Sequence, residues 1–351
     1  FHLSVVAVSL KKTMGSLLGY RGGVILVQGT TFSNTLTQYD DFEPGTLFSA
    51  DDLDPFSFSF EDFDVEWNAT NRGVMARAFR ADVRYRESPG SAEKSYDLRV
   101  NHPLTVGDTA VFLIGHGYAP VVTITDGEGN DVWSGPVPFL PQDQTFLSFG
   151  VVKAPDARPG QIGIEGFFYP TFELIDGDPM TVYPNDLNPL LSMQVYTGDL
   201  GLDTDASQSV YVLDKSSATQ VLNDEGKPLR LDLSVGETIE LPDGLGSVRF
   251  DGVEPWTRIQ ISQSPGKGIA LGGVVLALVG LLGSLFIRPR RVWVRVRRDA
   301  TGGAGAGEGV TMVEVAALDR SGGGDVAPVI EELVAELQQA TPSRGKGMTN
   351  S

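Results

Sequence analysis

The chain contains no cysteine among its 351 residues. This absence excludes disulfide bonds, thiolate metal ligands and thiol–disulfide chemistry carried out by the chain itself. Without cysteine, the composition gives no information on whether the protein lies in an oxidising or a reducing compartment. A domain of roughly 250 residues buries enough apolar surface to do without disulfide bonds, so a folded domain outside the cytoplasm remains compatible with the composition.

Motifs that would mark an enzyme are missing as well. The sequence has no GxSxG nucleophile elbow, no Walker A loop, no HExxH and no dinucleotide fingerprint after a strand. The glycine-rich run at 302–309 follows polar residues, so we interpret it as a flexible linker. Adjacent carboxylates such as Asp40 and Asp41 indicate solvated turns on an acidic chain. The sequence therefore predicts no catalytic residue and gives no support to an anchored hydrolase.

Positive charge is scarce over most of the chain. The formal net charge is −18, and residues 21–267 alone hold 16 Lys and Arg against 37 Asp and Glu. Residues 288–351 hold 9 basic and 8 acidic residues. A strongly acidic domain argues against nucleic acid as a partner, because the phosphate backbone would be repelled.

The longest feature that is present is an uncharged run of nineteen residues at 269–287, IALGGVVLALVGLLGSLFI. At about 1.5 Å per residue such a helix spans roughly 28 Å, which matches the hydrocarbon core of a bilayer. An arginine cluster begins at Arg288. Since positive residues mark the cytoplasmic side, we predict a transmembrane helix with residues 288–351 in the cytoplasm and residues 21–268 outside it.

A second apolar segment, residues 1–20, precedes the acidic region and is interrupted by Lys11 and Lys12. Two lysines at the centre of a membrane helix are costly. The alternating topology favours a transmembrane helix, and a short interfacial or soluble helix is the alternative. The chain begins at Phe1 without an initiator methionine or a recognisable signal peptide, so we interpret it as lacking an upstream part.

Residues 21–268 consist of short segments with period-two alternation, separated by turns rich in Gly and Pro. In one of them Phe58, Phe60 and Asp62 fall on one face, and Phe63 falls on the other. This pattern of short alternating segments and turns predicts a large all-β domain, which would be an antiparallel barrel or sandwich. After residue 287 the pattern predicts a small α+β tail with two strands and an amphipathic helix from Val326 to Ala340.

Only three histidines are candidates for binding a metal or haem: His2, His102 and His116. His102 and His116 lie beside Pro or Gly, and we interpret them as loop histidines with surface or structural roles. His2 lies in an apolar run, where imidazole is a strong axial ligand for haem iron. An interfacial histidine without a ligand is an equally good interpretation of His2.

A basic patch stands out in the acidic domain, and we expect it to pair with nearby acidic residues, with haem propionates or an acidic partner as the alternative. It comprises Arg72, Arg77, Arg80, Arg84 and Arg86.

Several segments together resemble the ResB family of cytochrome c biogenesis proteins in its actinobacterial form. They are FHLSVVAVSL and GSLLGYRGG at the start, LRVNHPLTVGDTAVFLIGHGYAP, VPFLPQDQTFLSFG, and the final apolar helix followed by RPRRVWVR. The order of a membrane helix, a large β-rich domain and a last membrane helix is also similar. By this resemblance, the earlier membrane helices of the family would lie upstream of Phe1.

The resemblance implies a membrane protein of the system II pathway. With a ResC/CcsA-type membrane partner, such a protein handles haem b transiently and supports its covalent attachment to apocytochrome c outside the cytoplasm. It is then the non-catalytic half of a cytochrome c haem-lyase complex rather than an enzyme by itself. His2 matches the family's histidine before the large domain, which implies a haem axial ligand. The alternative is a membrane-anchored β domain that acts as a ligand-binding or sensory module.

Overall fold

The computed structural model describes residues 15–70, 73–202, 211–286, 290–298, 311–319 and 325–339. The described residues up to Gly266 form one compact unit, and those from Lys267 onward form a second. The strands of the first unit, in chain order, are β1 (Tyr20–Val27), β2 (Thr31–Ser33), β3 (Asp41–Pro44), β4 (Ser57–Thr70), β5 (Gly73–Arg86), β6 (Lys94–Arg99), β7 (Leu104–Val106), β8 (Thr109–Asp126), β9 (Asp131–Pro136), β10 (Leu140–Pro141), β11 (Ser148–Ala154), β12 (Gln161–Tyr169), β13 (Phe172–Ile175), β14 (Asp178–Thr181), β15 (Leu190–Gly198), β16 (Ala218–Gln220), β17 (Arg230–Ser234), β18 (Thr238–Leu241) and β19 (Gly246–Gln263).

A long antiparallel ribbon of β8 and β19 organises this unit. Each strand has 18 residues, and they pair along their whole length, from Thr109 with Gln263 to Asp126 with Gly246. At one end, β1 and β3 extend the sheet beyond β19, and β7 lies beside β8. At the other end, β9 joins β8 and β18 joins β19. The ribbon therefore supplies one layer to each of two lobes.

The first lobe is a sandwich in which the sheet β2-β4-β5-β6 packs on β1, β7 and one end of the ribbon. Its core is rich in phenylalanine, and Phe32, Phe56, Phe58 and Phe60 are all buried. Because alternate residues of a strand share a face, the pattern of 57–60 sends the rings of Phe58 and Phe60 into the core.

The predicted position of Phe63 is wrong, because β4 contains a bulge. Phe60 pairs with Val83 and Asp62 pairs with Asp82, so Glu61 has no partner on β5. One extra residue moves every following side chain to the other face. Phe63 therefore shares the face of buried Ala81, and Asp62 turns outward to solvent.

The second lobe is a sandwich between the other end of the ribbon and the sheet β10-β11-β12-β15-β16, with β17 paired to β15. Its core is mainly aliphatic and includes the buried residues Ile162, Ile164, Leu191 and Val195. The predicted β-rich domain is confirmed, and the arrangement observed is the sandwich. The strand pairs of the described residues are antiparallel, apart from one isolated parallel bridge between Thr171 and Asn188.

The second unit contains helix α1 (Lys267–Phe286), a hairpin of β20 (Arg290–Arg298) and β21 (Thr311–Asp319), and helix α2 (Ala327–Gln339). The two predicted strands correspond to β20 and β21, and the helix predicted from Val326 to Ala340 corresponds to α2. Counted over the residues that the structure describes, none of the helices is long and apolar enough to cross a membrane. The transmembrane character predicted for 269–287 is therefore not confirmed and stays a prediction.

The predicted helix of residues 1–20 lies largely outside the described residues, as do Lys11 and Lys12. Only Gly15–Leu18 of this segment is described as helical. The sequence predicts Tyr20 as the last residue of this helix, but Tyr20 is the first residue of β1 and is buried against Phe42 and Phe48. The β unit therefore begins at least one residue earlier than the predicted boundary.

Candidate functional site

The middle of the ribbon carries His116 on its core-facing side. Leu113 pairs with Ile259 and Gly115 with Arg258, so Ile114 is an extra residue in β8. After this bulge His116 pairs with Thr257, which shares its face with the core residue Ile259. The prediction that His116 is a loop histidine is wrong, since it lies inside β8, one of the two longest described strands.

Four aromatic rings surround the imidazole, and we call the five residues the His116 cluster. Its ring centroid lies 5.0 Å from that of Phe63, 5.1 Å from Phe79, 6.2 Å from Trp67 and 4.7 Å from Phe146. The first three belong to β4 and β5 of the first lobe, whereas Phe146 precedes β11 in the second lobe. All five residues are partly buried. The cluster therefore joins the two lobes at the centre of the ribbon.

Burial determines the charge of His116. It lowers the pKa of the imidazole from 6.5 to about 4, and neither a charged group nor a hydrogen bond contributes to this shift. Desolvation disfavours the charged form of a histidine. At neutral pH His116 is therefore an uncharged imidazole whose unprotonated nitrogen can donate a lone pair.

The hydroxyl of Thr257, opposite His116 in the ladder, is also unusual. Thr257 is 1% exposed. Its Oγ1 has no hydrogen-bond partner among the described residues. A buried hydroxyl without a partner is unfavourable and rare, so this atom calls for an explanation.

The loop before β11 holds Phe146 over the imidazole in a strained conformation. Phe146 has φ of +62°, a left-handed value that bulky side chains seldom adopt. The Asp143 carboxylate fixes the loop by accepting hydrogen bonds from Thr145 N at 2.9 Å and from Leu147 N at 3.3 Å. The ring of Phe146 stacks on His116 with an interplanar angle of 22°.

On the opposite face of the ribbon from His116, the buried side chain of Trp256 packs against the backbone. Its indole N–H donates to the carbonyl oxygens of Tyr118 and Phe139, both at 3.0 Å. Gly117 pairs with Trp256, and a Cβ at this position would lie 2.5 Å from the indole ring. A glycine next to His116 is therefore required by the close approach of the tryptophan.

Apart from the His116 cluster, a cleft of about 320 Å³ is lined in part by residues of β1, β9 and β11. Ile25, Trp133 and Pro138 contribute apolar surface to it, and Asp40 and Lys153 also line it. Burial raises the pKa of the Asp40 carboxyl and lowers the pKa of the Lys153 amine. This cleft contains no residue that the sequence predicted as a site.

Of the other two predicted histidines, only His102 is described, and it does not belong to the His116 cluster. His2 lies outside the described residues. His102 is exposed, stacks on Tyr96 with centroids 5.2 Å apart, and has Nδ1 3.1 Å from the carbonyl oxygen of Asp97. This is the surface role that the sequence predicted. Within the described ranges, no group of three or more His, Asp or Glu side chains is arranged to hold a metal ion.

The basic patch on β5 pairs with acidic residues, as expected. The ion pairs are Arg77–Glu66 at 3.8 Å, Arg80–Asp64 at 2.7 Å, Arg84–Glu61 at 3.5 Å and Arg86–Glu93 at 3.0 Å. Arg72 lies outside the described residues. Because the four described arginines are exposed and each has an acidic neighbour, they provide no anion site of their own.

Sequence reasoning missed Thr257 and Phe146. The sequence does not distinguish Thr257, because threonine is common in strands. Whether its hydroxyl has a hydrogen-bond partner depends on the tertiary structure. Phe146 follows Asp143, Gln144 and Thr145, and this polar setting predicts only a turn. The glycines on either side of His116 were a usable signal for a bulge and a close contact.

These observations define a class: a two-lobed antiparallel β protein with a neutral histidine enclosed by aromatic rings where the lobes meet. A family model described as the ResB-like family matches residues 1–328. The chain therefore belongs to the ResB-like family, which indicates a role in cytochrome c biogenesis. A comparison with curated proteins finds no match.

Proposed function

We propose that the protein is a membrane-anchored cytochrome c assembly factor. With a ResC/CcsA-type partner it handles haem b and supports the delivery of haem to apocytochrome c and its covalent attachment outside the cytoplasm. The observation that carries this proposal is the match to the ResB-like family over residues 1–328. In this role the chain is the non-catalytic half of a haem-lyase complex, and no catalytic residue is assigned to it.

The proposal includes a topology in the cell membrane. The segment before Tyr20 and residues 269–287 cross the bilayer, residues 20–268 form the extracytoplasmic domain, and residues 288–351 lie in the cytoplasm. The uncharged run of 269–287 and the arginines after it support this arrangement. The net acidity of residues 21–267 suits a solvated surface that does not bind nucleic acid.

Haem is the cargo, and His2 is its proposed axial ligand in the membrane. The position of His2 in an apolar run supports this assignment, because a neutral imidazole in apolar surroundings suits the iron and the porphyrin together. The partner protein shares the haem, so binding to this chain is transient.

Substitution of His2 tests the proposal directly. The full chain is co-expressed with its ResC/CcsA-type partner, purified in detergent, and assayed for haem b by the pyridine haemochrome spectrum. We expect stoichiometric haem b in the unchanged complex and a loss of about tenfold or more in His2→Ala, since an axial ligand bond is removed.

His102→Ala serves as the matched control, because His102 is an exposed histidine stacked on Tyr96. Its haem content should equal that of the unchanged chain. Unchanged haem in His2→Ala would reject the ligand assignment. A complex without haem under any condition would reject haem handling and favour a ligand-binding or sensory β domain.

A further inference from the structure

We infer that the hairpin of β13 and β14 is a docking element for an extended polypeptide segment of a partner protein, one in which basic and apolar side chains alternate. The inference goes beyond haem handling, because it concerns how the β unit holds another polypeptide. No residue of this hairpin belongs to the His116 cluster.

The hairpin connects β12 to β15 of the second lobe and has a preformed shape. Asp176 and Gly177 form its turn with φ of +56° and +92°, the left-handed values that two-residue hairpin turns require. At its base Phe172 N donates to Asn188 O at 2.9 Å, and Asn188 Nδ2 donates to Phe172 O at 2.7 Å. Because the turn and the base are both fixed, binding a partner costs little conformational entropy.

The hairpin exposes large apolar side chains. Leu174 is 65% exposed, Met180 is 48% exposed and Ile175 is 43% exposed. A two-stranded hairpin is marginally stable by itself in water, and covering its apolar side chains stabilises it. Within the part of the chain that the structure describes, β13 and β14 pair only with each other. The outer edge of each strand is therefore available to another strand.

One face of the hairpin combines two apolar and two acidic side chains, and we call it the docking face. Glu173 pairs with Met180 and Ile175 pairs with Asp178, and directly opposed residues share a face. All four side chains are exposed. Along each strand an acidic residue therefore alternates with an apolar one on this face. An added strand with basic and apolar residues in the same alternation would place opposite charges and apolar groups side by side.

Charge determines which occupant fits the docking face. The hairpin carries Glu173, Asp176 and Asp178, and the sequence has no Lys or Arg between Arg158 and Lys215. A second copy of the hairpin or an anionic bilayer would bring like charges together, which is unfavourable. A basic segment pairs its cations with these carboxylates instead. The hairpin therefore favours a basic polypeptide over a copy of itself or a lipid surface.

The experiment measures peptide binding to the full-length chain in a non-ionic detergent by fluorescence anisotropy. The probe is the labelled peptide KLVSKLVS, which as a strand presents Lys and Val on one face and Leu and Ser on the other. We expect saturable binding that weakens when the salt concentration rises from about 50 mM to about 500 mM, because salt screens exposed charges. The Kd should be about tenfold higher or more for ELVSELVS, which lacks the cations, and for KSSSKSSS, which lacks the apolar side chains.

Two double variants separate the components of the docking face. Ile175→Ser combined with Met180→Ser removes its apolar side chains, and Glu173→Gln combined with Asp178→Asn removes its charges. Each double variant should raise the Kd for KLVSKLVS about tenfold or more. Loss of the charges should also abolish the salt dependence, whereas loss of the apolar side chains should leave it in place.

Val235→Ser and Glu128→Gln are the matched controls, because each changes an exposed side chain of the same kind outside the hairpin. Both should bind KLVSKLVS like the unchanged chain. Hydrogen exchange adds a measurement that a general loss of stability would not reproduce. The backbone amides of β13 and β14 should exchange more slowly when the peptide is bound, since an added strand occupies the open edges.

Three results would overturn the inference. They are the absence of saturable binding of KLVSKLVS, equal affinity for KLVSKLVS and ELVSELVS, and an unchanged Kd in both double variants when circular dichroism shows that they are folded. Self-association of the chain that is lost in Ile175→Ser with Met180→Ser, without peptide binding, would identify a second copy as the occupant instead. The haem b content measured for His2→Ala does not bear on these results, so the two proposals fail independently.

Discussion

Replacing Trp256 with alanine is expected to lower the free energy of unfolding of the β unit by about 4 kcal/mol, within the range for large aromatic deletions in cores. Trp256 is 4% exposed, contacts the backbone at Gly117 and donates to two carbonyl oxygens. The deletion removes apolar burial and leaves both carbonyls without their donor. Urea denaturation of the full chain, followed by circular dichroism, measures the change.

The matched control is Trp133→Ala, which deletes the same side chain at a position that is 36% exposed. We expect a loss of less than about 1.5 kcal/mol there, because a smaller apolar area is removed from contact. Trp256→Phe should lie between the two, since it retains most of the apolar surface but not the indole N–H. Equal losses for Trp256→Ala and Trp133→Ala would show that the buried indole and its two hydrogen bonds add nothing to stability beyond what a half-exposed tryptophan contributes.

Acidification should destabilise the protein through His116. The pKa of His116 is about 4 in the folded chain and 6.5 in the unfolded chain, so the unfolded state binds more protons between these values. The stabilising contribution is complete above pH 6.5 and is lost as the pH falls to 4. At about 1.4 kcal/mol per pKa unit, the full loss amounts to about 3 kcal/mol.

The measurement compares urea denaturation at pH 7.5 and pH 5, above the sequence pI of about 4.5. Across this interval His116 should account for about 2 kcal/mol of destabilisation. His116→Phe, which keeps an aromatic ring in the cluster, should lose that much less stability on acidification than the unchanged chain. His102→Phe should keep the full difference. The same pH response in His116→Phe and the unchanged chain would show that the imidazole is not buried in solution.

The sequence predicts those features of the structure that depend on residues close together in the chain, and it misses those that depend on contacts between distant residues. Alternation of apolar and polar residues is local, so the β-rich unit, the strands β20 and β21 and the helix α2 were all predicted. The bulges at Glu61 and Ile114 were not predicted, because an extra residue in a strand is defined only by its partner. Each bulge changes which side chains face inward, and the position of Phe63 was therefore wrong.

The candidate site depends on these same long-range features. The sequence identifies His116 as one of three histidines, and the glycines on either side of it favour a loop. Only the pairing of β8 with β19 brings Thr257 opposite His116, and only the packing of two lobes brings Phe63 and Phe146 to the same imidazole. No sequence pattern links residues so far apart in the chain.

By itself, the sequence determined that the chain has no cysteine and so no thiol chemistry of its own, that its large acidic region is built of strands, and which family it resembles. These properties follow from composition and from periods of two or a few residues. The tertiary structure alone decided that His116 is neutral, that Thr257 lacks a partner among the described residues and that Phe146 is strained. Burial, pairing and strain arise from contacts between distant segments, and such contacts exist only once the two lobes have folded onto the ribbon.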